Sequence, residues 1–369
     1  MSDNFKTIDE LAAEVNKKLG AGVLMRGSTT RQDVPHLSTG ILDYDLAMGG
    51  GFAANQWNEI VGNESSGKTA IAYQTIAHNM REDPEFLALW VAAEEYVPDY
   101  AASFGIDIDR LWVVETNEME TALELVLKAV ENHAVDMVVI DSIPALVPND
   151  EVEKSMDQAG MAVGARLLGK FFRKCAAAQR RTEGERECTL IAINQWRDSI
   201  GVMFGDPRTT PGGKAKNYFY FIRVEVRRDE WLKDASSIES RVGQTIKMRC
   251  FKNKTYRPQQ TAEVDFYFAD SKAGFGLGQF DLAKDVVTVA LALELFEGRY
   301  KFEGERIGKS KDDLYVAVAE DEALCSRIKE AAMKVLSKNV DTFRNFDSSE
   351  EGEEVEDQSL EEVAVDQSV

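Results

Sequence analysis

Eight residues, GNESSGKT at positions 62–69, constrain this chain more than any other stretch. They fit the spacing G-x-x-x-x-G-K-[ST], directly after the apolar run NEIV and directly before a helical pattern, the context in which such a loop wraps a phosphate. Glycines let backbone N–H groups turn toward phosphate oxygens, and the following helix adds its positive N-terminal end. Gly62, Asn63, Glu64, Ser65, Ser66, Gly67 and Ala70 are therefore expected to cradle the phosphates of a nucleotide. Lys68 would reach the outer phosphates, and the Thr69 hydroxyl would hold a magnesium ion.

The rest of the chain around this loop reads as an α/β core. The runs NEIVG, FLALWVAA, RLWVVE, DMVVID and TLIAINQ look like buried strands, and helical stretches such as 118–133 separate them. That alternation implies a mostly parallel, twisted sheet flanked by helices. Further strands, antiparallel in expectation, follow at 218–228, 242–251 and 261–268. Asp141 ends the strand DMVVID, where a carboxylate can share the magnesium; capping a helix is its other reading. Glu94 and Glu95 end FLALWVAA, at the edge where open α/β sheets bind ligands. With only His36, His78 and His133 in the chain, one of these glutamates is the better candidate to activate water, although charges at a helix start would pattern the same way.

Charge separates the possible partners. The net charge of -21 argues against uniform coating of nucleic acid or of anionic membranes. Residues 340–369 carry eleven Asp and Glu against one Arg, an aromatic-poor tail expected to be disordered. Residues 166–228 reverse the balance, with fourteen Lys and Arg against six Asp and Glu. A nucleic-acid-facing surface and a solvated face both fit that pattern. No apolar run is long enough to span a membrane and no signal-like N-terminus is present, so a cytoplasmic protein is expected. Cys175, Cys188, Cys250 and Cys325 are scattered without a CxxC pair and read as reduced packing residues.

A phosphate loop and a strand-end aspartate do not choose a function. The segment IAINQWRDSIGVMFGDPRTTPGGKAKNYFYFIRVEVRR (191–228) closely resembles the second DNA-binding loop and flanking strands of RecA recombinases. LMRGS (24–28), LSTGILDYDLAMGGG (37–51), VVIDSIPALVP (138–148), FKNKTYRP (251–258) and GRYKFEGERIGKSKDD (298–313) resemble family segments in the same order, so the resemblance spans nearly the whole chain.

It implies a RecA-type ATPase core with an N-terminal helix and a small α+β C-terminal domain. The implied activity is DNA-dependent ATP hydrolysis coupled to strand exchange, by a helical filament of self-assembled subunits on single-stranded DNA that pairs with homologous double-stranded DNA. Loading and regulatory proteins are implied as further partners. By position, Gln195 matches the glutamine that senses the γ-phosphate, and Tyr100 a tyrosine near adenine. Lys252 and Lys254 match a pair that reaches into the neighbouring subunit's ATP site. Met161, Arg166 and Arg173 match the first DNA loop and the helix after it; Arg197, Phe204, Gly212 and Gly213 match the second. Ser199 departs from an often basic position, for which Arg208 and Lys214 are candidate replacements. The motif Ala-Glu-Glu at 93–95 departs from the family's Ala-Glu-His, which leaves Glu94 and Glu95 both open.

The expected organisation is an N-terminal helix and linker for subunit docking (1–35), the ATPase core (36–270), a small C-terminal domain (271–339) and the acidic tail (340–369). A ring helicase on the same core and a non-catalytic recombination mediator are the alternatives. The N-terminal helix speaks against the first, and intact Lys68, Thr69, Asp141 and Glu94 against the second.

Overall fold

The computed structural model describes residues 7–19, 23–27, 34–153, 161–179, 186–198, 208–213, 215–235, 240–298 and 300–347. The chain divides into two compact units, Met1–Asp285 and Val286–Val369.

The first unit is built on a nine-stranded sheet. In chain order its strands are β1 (Trp57–Val61), β2 (Ala88–Ala92), β3 (Leu111–Glu115), β4 (Met137–Asp141), β5 (Thr189–Asn194), β6 (Tyr220–Lys233), β7 (Arg241–Asn253), β8 (Gln260–Tyr267) and β9 (Gln279–Phe280). The spatial order is β9-β8-β7-β6-β1-β5-β4-β2-β3. From β6 to β3 every pairing is parallel, while β6 to β9 pair antiparallel. All five predicted strands are present and four are buried throughout or nearly so; β3, from RLWVVE, is the edge strand, and with a neighbour on one side only it leaves Trp112 exposed. The three later strands form the antiparallel extension.

Among the described residues before Leu282, the helices of six or more residues are α1 (Ile8–Leu19), α2 (Leu42–Met48), α3 (Lys68–Glu82), α4 (Pro98–Ser103), α5 (Met119–Glu131) and α6 (Met161–Gln179). Strand side chains alternate between faces, and each face has its own core. On β4, Met137 and Val139 pack in one cluster with Ile71 and Ile76 of α3. Val138 and Ile140 pack in the other with Val126 of α5 and Phe172 of α6. Continuous apolar strands are what a sheet covered on both faces requires. At α1, the Glu10 N–H donates to Thr7 Oγ1 at 3.2 Å, a side-chain cap that satisfies one free N–H of the helix N-terminus.

This unit continues past the expected boundary at 270. β9 adds to β8, and Asp285, in the first turn of α7 (Leu282–Ala292), accepts the Leu42 N–H at 2.6 Å and the Asp43 N–H at 3.1 Å. The second unit continues α7 with a short hairpin, Lys301–Phe302 against Glu305–Arg306, then α8 (Lys311–Glu320) and α9 (Glu322–Asp347). Ser310 and Asp313 form a capping box at α8, and Phe302, Leu314, Val318 and Ile328 are buried.

Helix α9 runs past the expected start of the disordered tail at 340. Residues 340–347 hold only two of that tail's carboxylates, Asp341 and Asp347, so little charge repulsion opposes a helix there. Residues 348–369 lie outside the described residues. Among the described residues no helix is long and apolar enough to cross a membrane.

Candidate active site

The phosphate loop leaves β1 and enters α3 as the spacing predicts. Two of its glycines are required by close approach. A Cβ at Gly62 would lie 2.3 Å from the Val226 carbonyl oxygen, and one at Gly67, where φ is 98°, would lie 2.3 Å from Ile246 Cδ1. The antiparallel extension thus presses on the loop from β6 and β7. Gln244 of β7 adds a bond, its Nε2 donating to the Ser65 carbonyl at 3.3 Å.

Above the loop lies a cavity of about 430 Å³. It is lined by loop residues Ser65 to Thr69, by Ala70, by Glu94, Glu95, Tyr100 and Asp141, and by Tyr73, Trp90, Trp231, Gln244, Phe266 and Phe268. Thr69 Oγ1 donates to Asp141 Oδ2 at 2.8 Å. The Asp141 carbonyl accepts the N–H groups of Ala93 and Glu94 at 2.9 and 3.2 Å, which fixes the end of β2 beside β4. Ser142 Oγ donates to Glu94 Oε1 at 2.6 Å. The structure therefore brings Lys68, Thr69, Glu94, Tyr100 and Asp141 to one cavity. Gly62, Asn63 and Glu64 belong to the same loop but not to that cavity's wall.

Burial sets the electrostatics. It pushes the Asp141 carboxyl up to about 6; Glu94 reinforces the shift, while the Thr69 hydroxyl and the Lys68 ammonium oppose it. A bound cation would oppose that shift and favour the ionised carboxylate. Burial also lowers the Lys68 pKa, against the pull of Asp141, Glu94 and Glu64. The Lys68 ammonium donates to the Asn63 carbonyl at 2.7 Å. Ser66 Oγ is buried in the loop with no hydrogen-bond partner among the described residues. An orphaned hydroxyl, glycines that admit no Cβ, and a hydroxyl–carboxylate pair of hard oxygens together fit a phosphate chain with a divalent cation.

The other expected residues fall into three groups. Gln195 follows β5, its N–H held by Asn194 Oδ1 at 3.0 Å, and is not in the cavity wall. Lys252 and Lys254 do not line the cavity of their own chain either; their ammonium groups donate to the neighbouring carbonyls of Asn217 and Tyr218. Burial and the adjacent Lys254 and Arg223 charges lower Lys252 to about 8.

Arg166 and Arg173 are both exposed on α6, while Leu168, Phe172 and Cys175 between and beside them are buried, so the two arginines share the outer face. Met161 begins that helix. Exposed Arg197 stands at the root of the second loop, where Arg197–Asp198 pairs with Arg208–Thr209. Gly212 and Gly213 adopt φ of 95° and 77°, and a Cβ on Gly212 would lie 2.8 Å from Leu168 Cδ1, so packing on α6 already demands that glycine. Arg208 is paired with Glu225 and stacked 4.7 Å over Trp196, whose indole donates to the same carboxylate at 3.0 Å. Its charge is paired within the chain, and its side chain stays partly exposed. Phe204, Ser199 and Lys214 lie outside the described residues.

Sequence reasoning missed a buried ionic network behind the cavity. Glu59 of β1 accepts from Arg223 Nε at 2.6 Å, from Asn194 Nδ2 at 2.9 Å and from Lys216 Nζ at 3.4 Å, and Lys216 also donates to Thr210. Glu59 and Lys216 have no solvent-exposed side-chain surface. The signal was one acidic residue inside the apolar run NEIV.

This fold and cavity define a phosphate-loop nucleotide-binding protein of the α/β class. The RecA N-terminal domain family matches residues 6–273. Protein RecA of Trichormus variabilis is 35% identical over 360 residues, covering 97% of this chain and 96% of that one. Protein RecA of Nostoc sp. is 34% identical with the same coverage, and that of Brevibacillus brevis is 32% identical over 97% of this chain and 98% of its own. The chain belongs to the RecA family.

Proposed function

We propose that this chain is an ATP-dependent recombinase that polymerises on single-stranded DNA and pairs it with a homologous duplex in recombination and repair. The observation that carries the reading is the Glu59 network. It joins β1, which ends in the phosphate loop, to Asn194 beside Gln195 and, through Lys216, to Thr210 at the exit of the second loop. A change at the phosphates therefore has a packed, hydrogen-bonded route to the segment that resembles a DNA loop.

Within the cavity, Lys68 and the loop amides hold the phosphates, and Tyr100 with Phe268 walls the base. Thr69 and Asp141 hold magnesium, which supplies positive charge against the phosphates when bound. Glu94, oriented by Ser142, accepts the proton of the attacking water. The convergence of Lys252 and Lys254 away from their own cavity favours a role in the cavity of the next subunit, where they stabilise charge on the transferring phosphoryl group and make hydrolysis depend on assembly. Sequence specificity comes from pairing between strands, while Arg166, Arg173 and Arg197 supply backbone contacts.

The test is ATP hydrolysis with and without single-stranded DNA, alongside electron microscopy. DNA-stimulated turnover and extended helical filaments are expected. Absence of stimulation would point to a mediator, and closed rings alone to a helicase. Glu94→Gln is expected to lower turnover by about 100-fold or more while filaments persist; that phenotype in Glu95→Gln instead would move the base by one residue.

A further inference from the structure

The wall of the nucleotide cavity combines the loop and the Lys68 ammonium with the rings of Tyr100, Phe266 and Phe268. Trp231 of β6 belongs to the same wall. Its register partner on β7 is Gln244, which bonds to Ser65 of the loop, and its ring meets Phe268 edge-on at 6.2 Å.

That ring carries two cations. The guanidinium carbons of Arg228 and Arg241 lie 4.1 and 4.4 Å from its centroid. Residues three apart on a regular strand point to opposite faces, so Arg228 reaches the Trp231 ring only because the β6–β7 register breaks between them. Neither arginine has an ion pair among the described residues. Two positive charges on one ring repel each other, and a polyanion in the adjoining cavity offsets that repulsion.

We propose that Trp231 contacts the bound nucleotide, and that Arg228 and Arg241, which sit on its ring without themselves lining the cavity, add positive charge that favours nucleoside di- and triphosphates. The proposal rests on the cavity being the nucleotide site. The two guanidiniums tie binding to phosphate charge at longer range, and the ring supplies apolar surface against the nucleotide.

The test uses the full chain and magnesium ADP, with affinity read by calorimetry, tryptophan emission recorded in parallel and folding checked by thermal melting. Trp231→Ala is expected to weaken ADP about tenfold. Trp231→Phe keeps affinity within about threefold but reduces the emission change, leaving the part due to Trp90 in the same wall, whereas Trp112→Phe retains the full change. The double variant Arg228→Gln with Arg241→Gln weakens ADP about tenfold and flattens its salt dependence. Wild-type affinity in Trp231→Ala together with a wild-type emission response in Trp231→Phe would overturn the proposal while leaving the cavity as the nucleotide site. If folded wild-type protein takes up no ADP, the nucleotide reading itself fails and Trp231 falls with it.

Discussion

Replacing Lys68 by alanine is expected to lower ATP turnover by at least about 100-fold and to abolish ATP-dependent DNA binding, while the protein stays folded. The two halves of that expectation have separate physical grounds. Lys68 is the cation that starts α3 at the phosphate loop, and Asp141, Glu94 and Glu64 all act on its charge. Without it, the phosphates meet those carboxylates with less to offset them. Stability should change little, because burial already disfavours the ammonium, and among the described residues it donates only to the Asn63 carbonyl. Melting curves and DNA binding with and without ATP decide the matter; normal DNA-stimulated turnover by this variant would contradict the role given to the loop.

The second large effect concerns Glu59. Glu59→Ala leaves Lys216 and Arg223 buried without their shared carboxylate, and is expected to destabilise the fold by about 3–5 kcal/mol in denaturant titrations. Lys216→Met should behave differently. It removes the cation whose pKa burial lowers, keeps the Arg223–Glu59 pair and fills the space, so a change within about 1–2 kcal/mol is expected. Equal losses in the two variants would show that packing volume, rather than charge, governs this cluster. A weakened response of ATP turnover to single-stranded DNA in Lys216→Met, with unloaded turnover intact, would place the network in communication between the sites.

Much of the site was legible because its geometry is local. A phosphate loop is specified by contiguous residues between a strand and a helix, and Asp141 and Glu94 are marked by the ends of apolar runs. The residues that escaped notice are those that a distant strand delivers. Phe266 and Phe268 reach the cavity from the antiparallel extension, and Trp231 arrives beside Arg228 through a register break that no alternation pattern shows. The buried partnership of Glu59 with Lys216 spans two distant segments and was visible only as an acid where an apolar residue was due. The assignments of Lys252 and Lys254 depend on a second subunit, so neither spacing nor a single chain could reveal what they touch.

The most direct test of the central claim is strand exchange between a single-stranded circle and a homologous linear duplex, with ATP and magnesium. The account predicts joint molecules that depend on ATP and on homology, and that Lys68→Ala does not form. ATP-dependent unwinding of a duplex without pairing, or DNA binding indifferent to both ATP and homology, would contradict it.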